Sequence, residues 1–145
     1  MKLDDVLDEW ERDCVIDTNH PDNSSIETAK LHAKYLRIFT DTKLRLAKTY
    51  TEYDILRRTK FRYFRGELTR DELNELGWDQ WQFTRPLKAE AEELLKGDVD
   101  LAQFKTRIAY LETMVSSIES IMNQIKNRAW EIKNIISWRQ FIVGG

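Results

Sequence analysis

The sequence predicts an all-α fold: a helical domain with a long C-terminal coiled-coil-type oligomerisation helix. Helix-breaking residues are scarce, with 5 Gly and 2 Pro in 145 residues, and 41% of residues are hydrophobic while 33% are charged. This composition is typical of long helices. In the last third of the chain, apolar residues recur every three or four positions. We therefore divide the chain into a helical region, 1–99, and a C-terminal heptad helix, 100–145.

Start and stop signals define the first two predicted helices. The first covers about 3–14 and carries acidic residues in its first turn, where they interact favourably with the helix dipole. After a polar loop, Ser24 and Glu27 match the Ser-x-x-Glu pattern of a capping box, which predicts the start of a second, long helix. That helix should end near residue 65, because Gly66 follows in the position where a left-handed residue closes many helices.

Shorter elements are predicted between residues 67 and 100. The run 69–72 (Thr-Arg-Asp-Glu) is a second capping box, and it opens a short helix that Gly77 can end. The aromatic-rich run 78–83 is expected to be extended or irregular. Pro86 is suited to the first position of a helix, so a further helix is predicted over about 87–96.

The final element has the most regular pattern in the chain. From Asp100, a suitable N-cap, the apolar spacing alternates between three and four residues over five heptads, as in a left-handed coiled coil. A second apolar stripe beside it favours homo-oligomers of more than two subunits. The alternative is an intramolecular bundle in which this helix packs on the second helix. The candidate oligomerisation residues are Ile108, Leu111, Val115, Ile118, Met122, Ile125, Ile132 and Ile136.

Several function classes find no support in the sequence. The single cysteine, Cys14, cannot form an intrachain disulfide, and the two histidines, His20 and His32, have no metal-ligand spacing. No phosphate-binding Gly-rich loop is present, and no carboxylate pair is singled out for acid–base catalysis. No apolar run is long enough for a membrane span. We therefore expect a non-enzymatic protein of the cell interior, with no cofactor, no metal and no membrane association.

Charge is distributed unevenly, although the net charge of the chain is only -2. Residues 1–13 carry 2 basic and 6 acidic groups, and residues 14–66 carry 11 basic and 6 acidic groups. Residues 67–100 carry 4 basic and 10 acidic groups, and residues 101–145 carry 6 basic and 3 acidic groups. For the acidic segment 67–100 three interpretations stay open: a solvated surface, a docking surface for a protein partner, or an internal mimic that shields the basic residues.

The basic segment, 57–66, combines five cations with three aromatic residues. Single-stranded nucleic acids are bound by this combination, because cations neutralise phosphates and flat rings stack on unpaired bases. A solvated helix face and a surface for an acidic protein partner are the alternatives. Seven residues are candidates for DNA contact: Arg57, Arg58, Lys60, Arg62, Tyr63, Phe64 and Arg65.

Lys60 occupies an unusual position within the basic segment. At 100° per residue it falls in the middle of the apolar stripe of the second helix, between the positions of Leu56 and Tyr63. A lysine on such a face must either extend its ammonium to water or meet an anion. This placement favours a surface that receives a polyanion.

Three blocks of the sequence, in order, resemble the UvsY family of recombination mediators from T-even-like bacteriophages. They are Leu3–Asp17, Arg58–Gly66 and Ile125–Lys133, with Arg139–Phe141 near the end. The middle block fits the family pattern of basic and aromatic residues closed by glycine. The resemblance is weakest over residues 67–100.

This resemblance implies a non-enzymatic protein that binds single-stranded DNA as a ring-like homo-oligomer. It implies a role in loading a RecA-like recombinase onto DNA coated with single-strand-binding protein, in the cytoplasm of the infected host cell. The family's two basic positions for DNA contact fall on Arg58 and Lys60, and its C-terminal oligomerisation region falls on the heptad helix. The competing hypothesis is a coiled-coil scaffold or adaptor whose basic segment binds an acidic protein.

Overall fold

The computed structural model describes residues 1–144, and every regular element within them is an α-helix. In chain order the helices are α1 (Leu3–Asp13), α2 (Pro21–Phe64), α3 (Arg70–Leu76), α4 (Lys88–Lys96) and α5 (Val99–Gly144). The prediction of an all-α fold with a long C-terminal helix is therefore confirmed.

Internal contacts divide the chain into two compact units. The first unit combines residues 1–44 with the chain from Leu111 onward, and the second unit is Arg45–Tyr110. Helices α2 and α5 are each divided between the two units. The functional division at residues 99 and 100 stays a prediction.

The core of the first unit is formed by one face of each of its three helical segments. Val6 of α1 and Tyr35 of α2 are fully buried against α5. The Trp10 ring meets the Tyr35 ring edge to face, with centroids 5.4 Å apart. The Tyr35 hydroxyl donates to the Asp13 carboxylate at 2.9 Å, so the one polar atom of this buried ring is satisfied. The α5 residues of this cluster are Met114, Ile118, Ile121 and Ile125.

The heptad pattern of α5 therefore describes packing within one chain. Of the eight candidate oligomerisation residues, five are buried in the single chain: Ile108, Leu111, Ile118, Ile125 and Ile132. Val115 and Met122 are partly buried, and Ile136 is exposed. The five buried side chains are already covered within the single chain, as in the intramolecular bundle considered above. Homo-oligomerisation, and the part these eight residues take in it, stays a prediction.

The second unit has its own, smaller core. Phe64 at the end of α2, Leu95 of α4 and Leu101 of α5 are buried together. Aromatic and apolar residues of α2 and of the α3–α4 connection pack around them: Tyr53, Leu56, Phe61, Tyr63 and Trp81. This core brings the last two turns of α2 against the segment 67–100.

Several predicted helix ends are confirmed in atomic detail. Gly66 and Gly77 both adopt positive φ, of 68° and 69°, as expected of residues that close α2 and α3. The Thr69 hydroxyl accepts from the Glu72 backbone N–H at 3.2 Å, and the Glu72 carboxylate accepts from the Thr69 backbone N–H at 3.1 Å. The predicted capping box of α3 is therefore present.

Two predicted caps at the long helices are wrong. Helix α2 begins at Pro21, three residues before Ser24, because a proline at the first helical position needs no N–H partner. Ser24 is buried inside the helix, and its hydroxyl accepts from the Asp17 backbone N–H at 3.0 Å. Helix α5 is capped by Asp98 instead of Asp100, since the Asp98 carboxylate accepts from the Leu101 backbone N–H at 3.0 Å.

The start of α4 also differs from the prediction. Leu87 is the N-cap residue and the helix begins at Lys88, so Pro86 precedes the helix and does not occupy its first position. The backbone N–H of Leu87 instead donates to the Glu90 carboxylate at 3.4 Å.

A buried arginine closes the end of α1. The Arg128 side chain of α5 is buried and donates to the backbone carbonyls of Cys14 at 3.1 Å and of Val15 at 3.3 Å. Its Nε donates to the Thr28 hydroxyl at 3.2 Å. One guanidinium thus supplies donors to two carbonyls that follow the last residue of α1.

We expect Arg128→Met to lower the free energy of unfolding by about 2 kcal/mol, because the carbonyls of Cys14 and Val15 lose their charged donor while most of the side-chain volume is kept. Chemical denaturation followed by circular dichroism measures this change. Lys126→Met, at an exposed position of the same helix, is the control and should change stability by less than about 0.5 kcal/mol. Equal stability of the two variants would contradict this role of Arg128.

Candidate nucleic-acid interface

The basic segment forms the last two turns of α2 and the residues that close it. Its five cations project from consecutive helical turns, and Gly66 then reverses the chain into the acidic segment 67–100. The acidic segment returns to the same place, since Phe64 and Trp81 pack in one core. Carboxylates of the acidic segment therefore lie close to cations of the basic segment.

Lys60 meets an anion, as its position in the apolar stripe predicts. Its ammonium lies 2.8 Å from the Asp100 carboxylate and 3.1 Å from the Asp98 carboxylate, and 4.8 Å from the centre of the Trp78 ring. The side chains of Lys60 and Asp98 are only 12% and 9% exposed. Burial alone lowers the pKa of Lys60, but the hydrogen bonds to Asp100 and Asp98 outweigh it, so the pKa lies above its usual value.

Arg62 forms a two-pronged ion pair with Glu72 of α3. Its two terminal nitrogens donate to the two carboxylate oxygens at 2.8 Å and 3.1 Å. Hydrogen bonds from Arg62, and then from the Thr69 backbone, lower the pKa of Glu72 to about 2. Glu72 therefore carries its negative charge throughout the physiological pH range.

Two further arginines have glutamate partners. Arg57 donates to Glu92 of α4 in a short hydrogen bond between its terminal nitrogen and the carboxylate. Arg65 lies 3.4 Å from the Glu67 carboxylate, and its guanidinium stands 5.8 Å from the centre of the Phe61 ring. These pairs are partly open to solvent, in contrast to Lys60 and Asp98.

Arg58 differs from the other four cations. Its side chain is exposed, and no ion pair or hydrogen bond of its guanidinium is present within residues 1–144. Of the seven candidate DNA-contact residues it is the one whose charge is fully available to an incoming phosphate.

Tyr63 and Phe64 use their rings for packing within the chain. Phe64 is buried, and the Tyr63 ring contacts the rings of Trp78 and Trp81 at 5.2 Å and 5.9 Å between centroids. The Tyr63 hydroxyl donates to the Asp79 carbonyl at 2.6 Å. The buried Phe64 ring has no face open to a base in this conformation, whereas Tyr63 is partly exposed and stacking there stays a prediction.

Two residues beside the basic segment were missed by sequence reasoning. The Phe83 side chain is 74% exposed while its ring lies 4.9 Å from that of Trp81. The Arg85 guanidinium lies over Gly66, so closely that a Cβ there would be 3.2 Å from one of its nitrogens. Both follow the basic segment by about twenty residues in a stretch without periodicity, and no local pattern could have associated them with it.

The site combines an exposed cation, Arg58, with arginines whose carboxylate partners are partly exposed. The exposed Phe83 ring packs on Trp81 in the same unit. Within residues 1–144 no group of three His, Cys, Asp or Glu side chains is placed to hold a metal ion. The arrangement suits charge-based binding of an anionic chain.

A comparison with family models decides the affiliation. Residues 9–145 match the family described as recombination, repair and single-stranded DNA binding protein UvsY. The chain belongs to the UvsY family. Among characterised UvsY proteins, the recombination protein UvsY of Enterobacteria phage T4 is 22% identical over 144 residues, which is 99% of either chain.

Crystal structures of a UvsY protein share the fold. The bacteriophage T4 recombination mediator protein UvsY in lattice type II superposes with a TM-score of 0.83 at 22% identity, covering 99% of this chain and 98% of that one. The lattice type IV structure gives the same TM-score and covers 97% of this chain and 99% of that one. This UvsY family member therefore shares its overall fold with the phage protein.

In this family member no helix between residues 1 and 144 combines the length and the apolar character that crossing a bilayer requires. Carboxylates of the acidic segment contact the basic segment.

Proposed function

We propose that this UvsY family member is a non-enzymatic recombination mediator that binds single-stranded DNA as a homo-oligomer of more than two subunits. It promotes loading of a RecA-like recombinase onto strands coated with single-strand-binding protein, in the cytoplasm of the infected host cell. The observation that supports this most directly is the exposed, unpaired Arg58 within a cluster of arginines at the end of α2. Family membership supports the choice of single-stranded DNA as the anion.

Each subunit offers few charges to a strand, because most cations of the basic segment already have carboxylate partners. One subunit therefore binds weakly. Joining several subunits makes each further contact intramolecular, and overall affinity can then exceed that of one site by orders of magnitude. A strand held by many weak contacts can be released segment by segment, which suits transfer to a recombinase.

The C-terminal end of α5 supports the homo-oligomer. Its last turns present a group of large apolar side chains to solvent, in contrast to the buried heptad positions before them. Trp138 and Phe141 stack on each other with ring centroids 5.8 Å apart. The exposed side chains are Trp130, Ile136, Trp138, Phe141, Ile142 and Val143. Exposed apolar groups of this extent mark contact surfaces.

We expect Arg58→Ala to weaken binding of a labelled oligonucleotide several-fold at low salt. The slope of log affinity against log salt concentration should become shallower by about 0.7 for each Arg58 that contacts the strand, because fewer counterions are released. Fluorescence anisotropy over a salt series measures both quantities.

Arg37→Ala removes one exposed positive charge elsewhere on α2 and serves as the control. It should change affinity and slope much less than Arg58→Ala. Identical effects of the two substitutions would contradict a contact at Arg58.

The second candidate function is a scaffold or adaptor whose basic segment binds an acidic protein. One observation favours it: Arg57, Arg62 and Arg65 of the basic segment already form ion pairs with carboxylates. A salt-dependent gel shift with a short oligonucleotide separates the two candidates, because the adaptor would show no shift at low salt.

A further inference from the structure

The ion pairs of the basic segment differ in how easily they can open. The Lys60–Asp98 pair is almost excluded from solvent, and Asp98 is also the cap of α5. By contrast, about a third of each side chain is exposed in the Arg62–Glu72 and Arg57–Glu92 pairs. Partly exposed ion pairs have small net stabilities, whereas opening a buried pair leaves an uncompensated charge. The arginine–glutamate pairs can therefore exchange partners at low cost, and Lys60 cannot.

The exchangeable carboxylates occupy the positions that phosphates would need. Glu72 binds Arg62 through two parallel hydrogen bonds, the geometry with which a guanidinium also binds a phosphate. Glu92 binds a terminal nitrogen of Arg57 from another helix, α4. A phosphate and these carboxylates cannot hold the same guanidinium edge at once.

We infer that Glu72 and Glu92 act as competing anions, which a nucleic-acid strand must displace from Arg62 and Arg57 in order to bind. This inference rests on the proposed function and adds to it a limit on affinity that is built into each subunit. Arg58 makes the first contact with the strand, because it has no partner to lose. Arg62 and Arg57 follow by exchanging a carboxylate for a phosphate.

The exchange of carboxylate for phosphate also explains why the basic segment, 57–66, is followed by the acidic segment, 67–100. While the carboxylates are in place, each ion pair restricts its arginine side chain, so less side-chain entropy is lost when the strand arrives. Without DNA, the charges of the basic segment and of its carboxylate partners nearly cancel within each subunit, which limits the binding of other anions. An assembled set of subunits regains affinity by presenting many such sites to one strand.

The test removes the two carboxylate charges without removing the helix cap. Glutamine replaces glutamate in a capping box, so Glu72→Gln can keep its hydrogen bond to the Thr69 backbone. The variant is E72Q/E92Q. The matched control is E75Q/E90Q, which changes one exposed glutamate of α3 and the capping-box glutamate of α4. Both variants raise the net charge of the chain by the same amount, and only the first touches the arginine partners.

Fluorescence anisotropy with an unstructured oligonucleotide, at several salt concentrations, gives the affinities. We expect E72Q/E92Q to bind about three- to tenfold more tightly than E75Q/E90Q, with a salt slope steeper by about 1.4 for two freed arginines on one strand. Equal affinities and slopes of the two variants, with salt-dependent binding by the unmodified protein, would overturn the inference and leave the proposed function standing. If the unmodified protein and both variants fail to bind, the proposed function fails and the inference fails with it. If E72Q/E92Q binds the oligonucleotide while the unmodified protein and E75Q/E90Q do not, the two carboxylates block binding completely, and the inference is supported.

Discussion

Ile118→Asp is expected to unfold the first unit and not to separate intact subunits from one another. The Ile118 side chain is 0% exposed and lies in a cluster with Val6 and Tyr35. The substitution loses the burial of a large apolar side chain and places a carboxylate where no donor faces it. We expect the free energy of unfolding to fall by more than about 4 kcal/mol, a large part of the total stability of a typical domain.

Thermal and chemical unfolding followed by circular dichroism measure this loss, and light scattering reports the mass of what remains folded. Ile26→Asp provides the control, because Ile26 is an exposed isoleucine of α2 in the same unit. It should change stability by less than about 1 kcal/mol. An Ile118→Asp protein with unchanged unfolding and a smaller assembly mass would show that Ile118 faces another subunit, against the packing described above.

This expectation differs from what periodicity alone predicts for α5. A three-four apolar spacing establishes that one face of a helix is covered, and it says nothing about whether the cover belongs to the same chain. In this fold the cover includes Val6 of α1 and Tyr35 of α2, more than seventy residues away from Ile118 in sequence. The choice between a bundle and an oligomer depends on such long-range partners, which no local window contains.

Local signals were reliable where the deciding contacts are local. Gly66 and Gly77 end helices because the left-handed conformation they adopt is a property of single residues. The Thr69 capping box closes within four residues. The prediction at Ser24 failed because two local signals competed there, and Pro21 determined the start of the helix while Ser24 served the preceding loop.

The candidate site shows the same division between local and distant information. The position of Lys60 in an apolar stripe correctly predicts that its ammonium meets an anion or reaches water. The identity of that anion could not be read from the helix, because Asp98 and Asp100 lie about forty residues further along the chain. For Tyr63 the residue type suggested base stacking, and the contacts of its ring with Trp78 and Trp81 of the segment 67–100 could not be read from the helix.

The interpretation of the acidic segment follows from these pairings. Its carboxylates do not simply face water, since Glu72, Glu92 and Asp98 each contact a cation of the basic segment. Among the three interpretations considered for this segment, an internal mimic that shields the basic residues agrees best with the contacts. The shield is composed of pairs with different burial. We therefore infer that the buried pair serves stability, whereas the partly exposed pairs yield to a strand as proposed above.

Replacing Trp138 and Phe141 together by alanine is expected to have the largest effect on DNA binding. Their side chains are 62% and 70% exposed, and within residues 1–144 neither belongs to the core of either unit. If they form the contact between subunits, W138A/F141A loses the assembly while each chain stays folded. Affinity for a long oligonucleotide should then fall by about a hundredfold or more, because the strand meets single weak sites.

Sedimentation or light scattering gives the mass of the assembly, and circular dichroism checks that the thermal midpoint is unchanged. L44A/I55A, which removes two exposed apolar side chains of α2, is the control and should keep the wild-type mass. Arg58→Ala, introduced into both the unmodified protein and W138A/F141A, gives a second comparison. In the assembled, unmodified protein the loss of DNA affinity should grow with the number of subunits that contact the strand. In W138A/F141A the same substitution should remove a single contact with the strand. A wild-type mass for W138A/F141A, or a single-chain mass for the unmodified protein at concentrations where it binds DNA, would contradict an assembly through this end of α5.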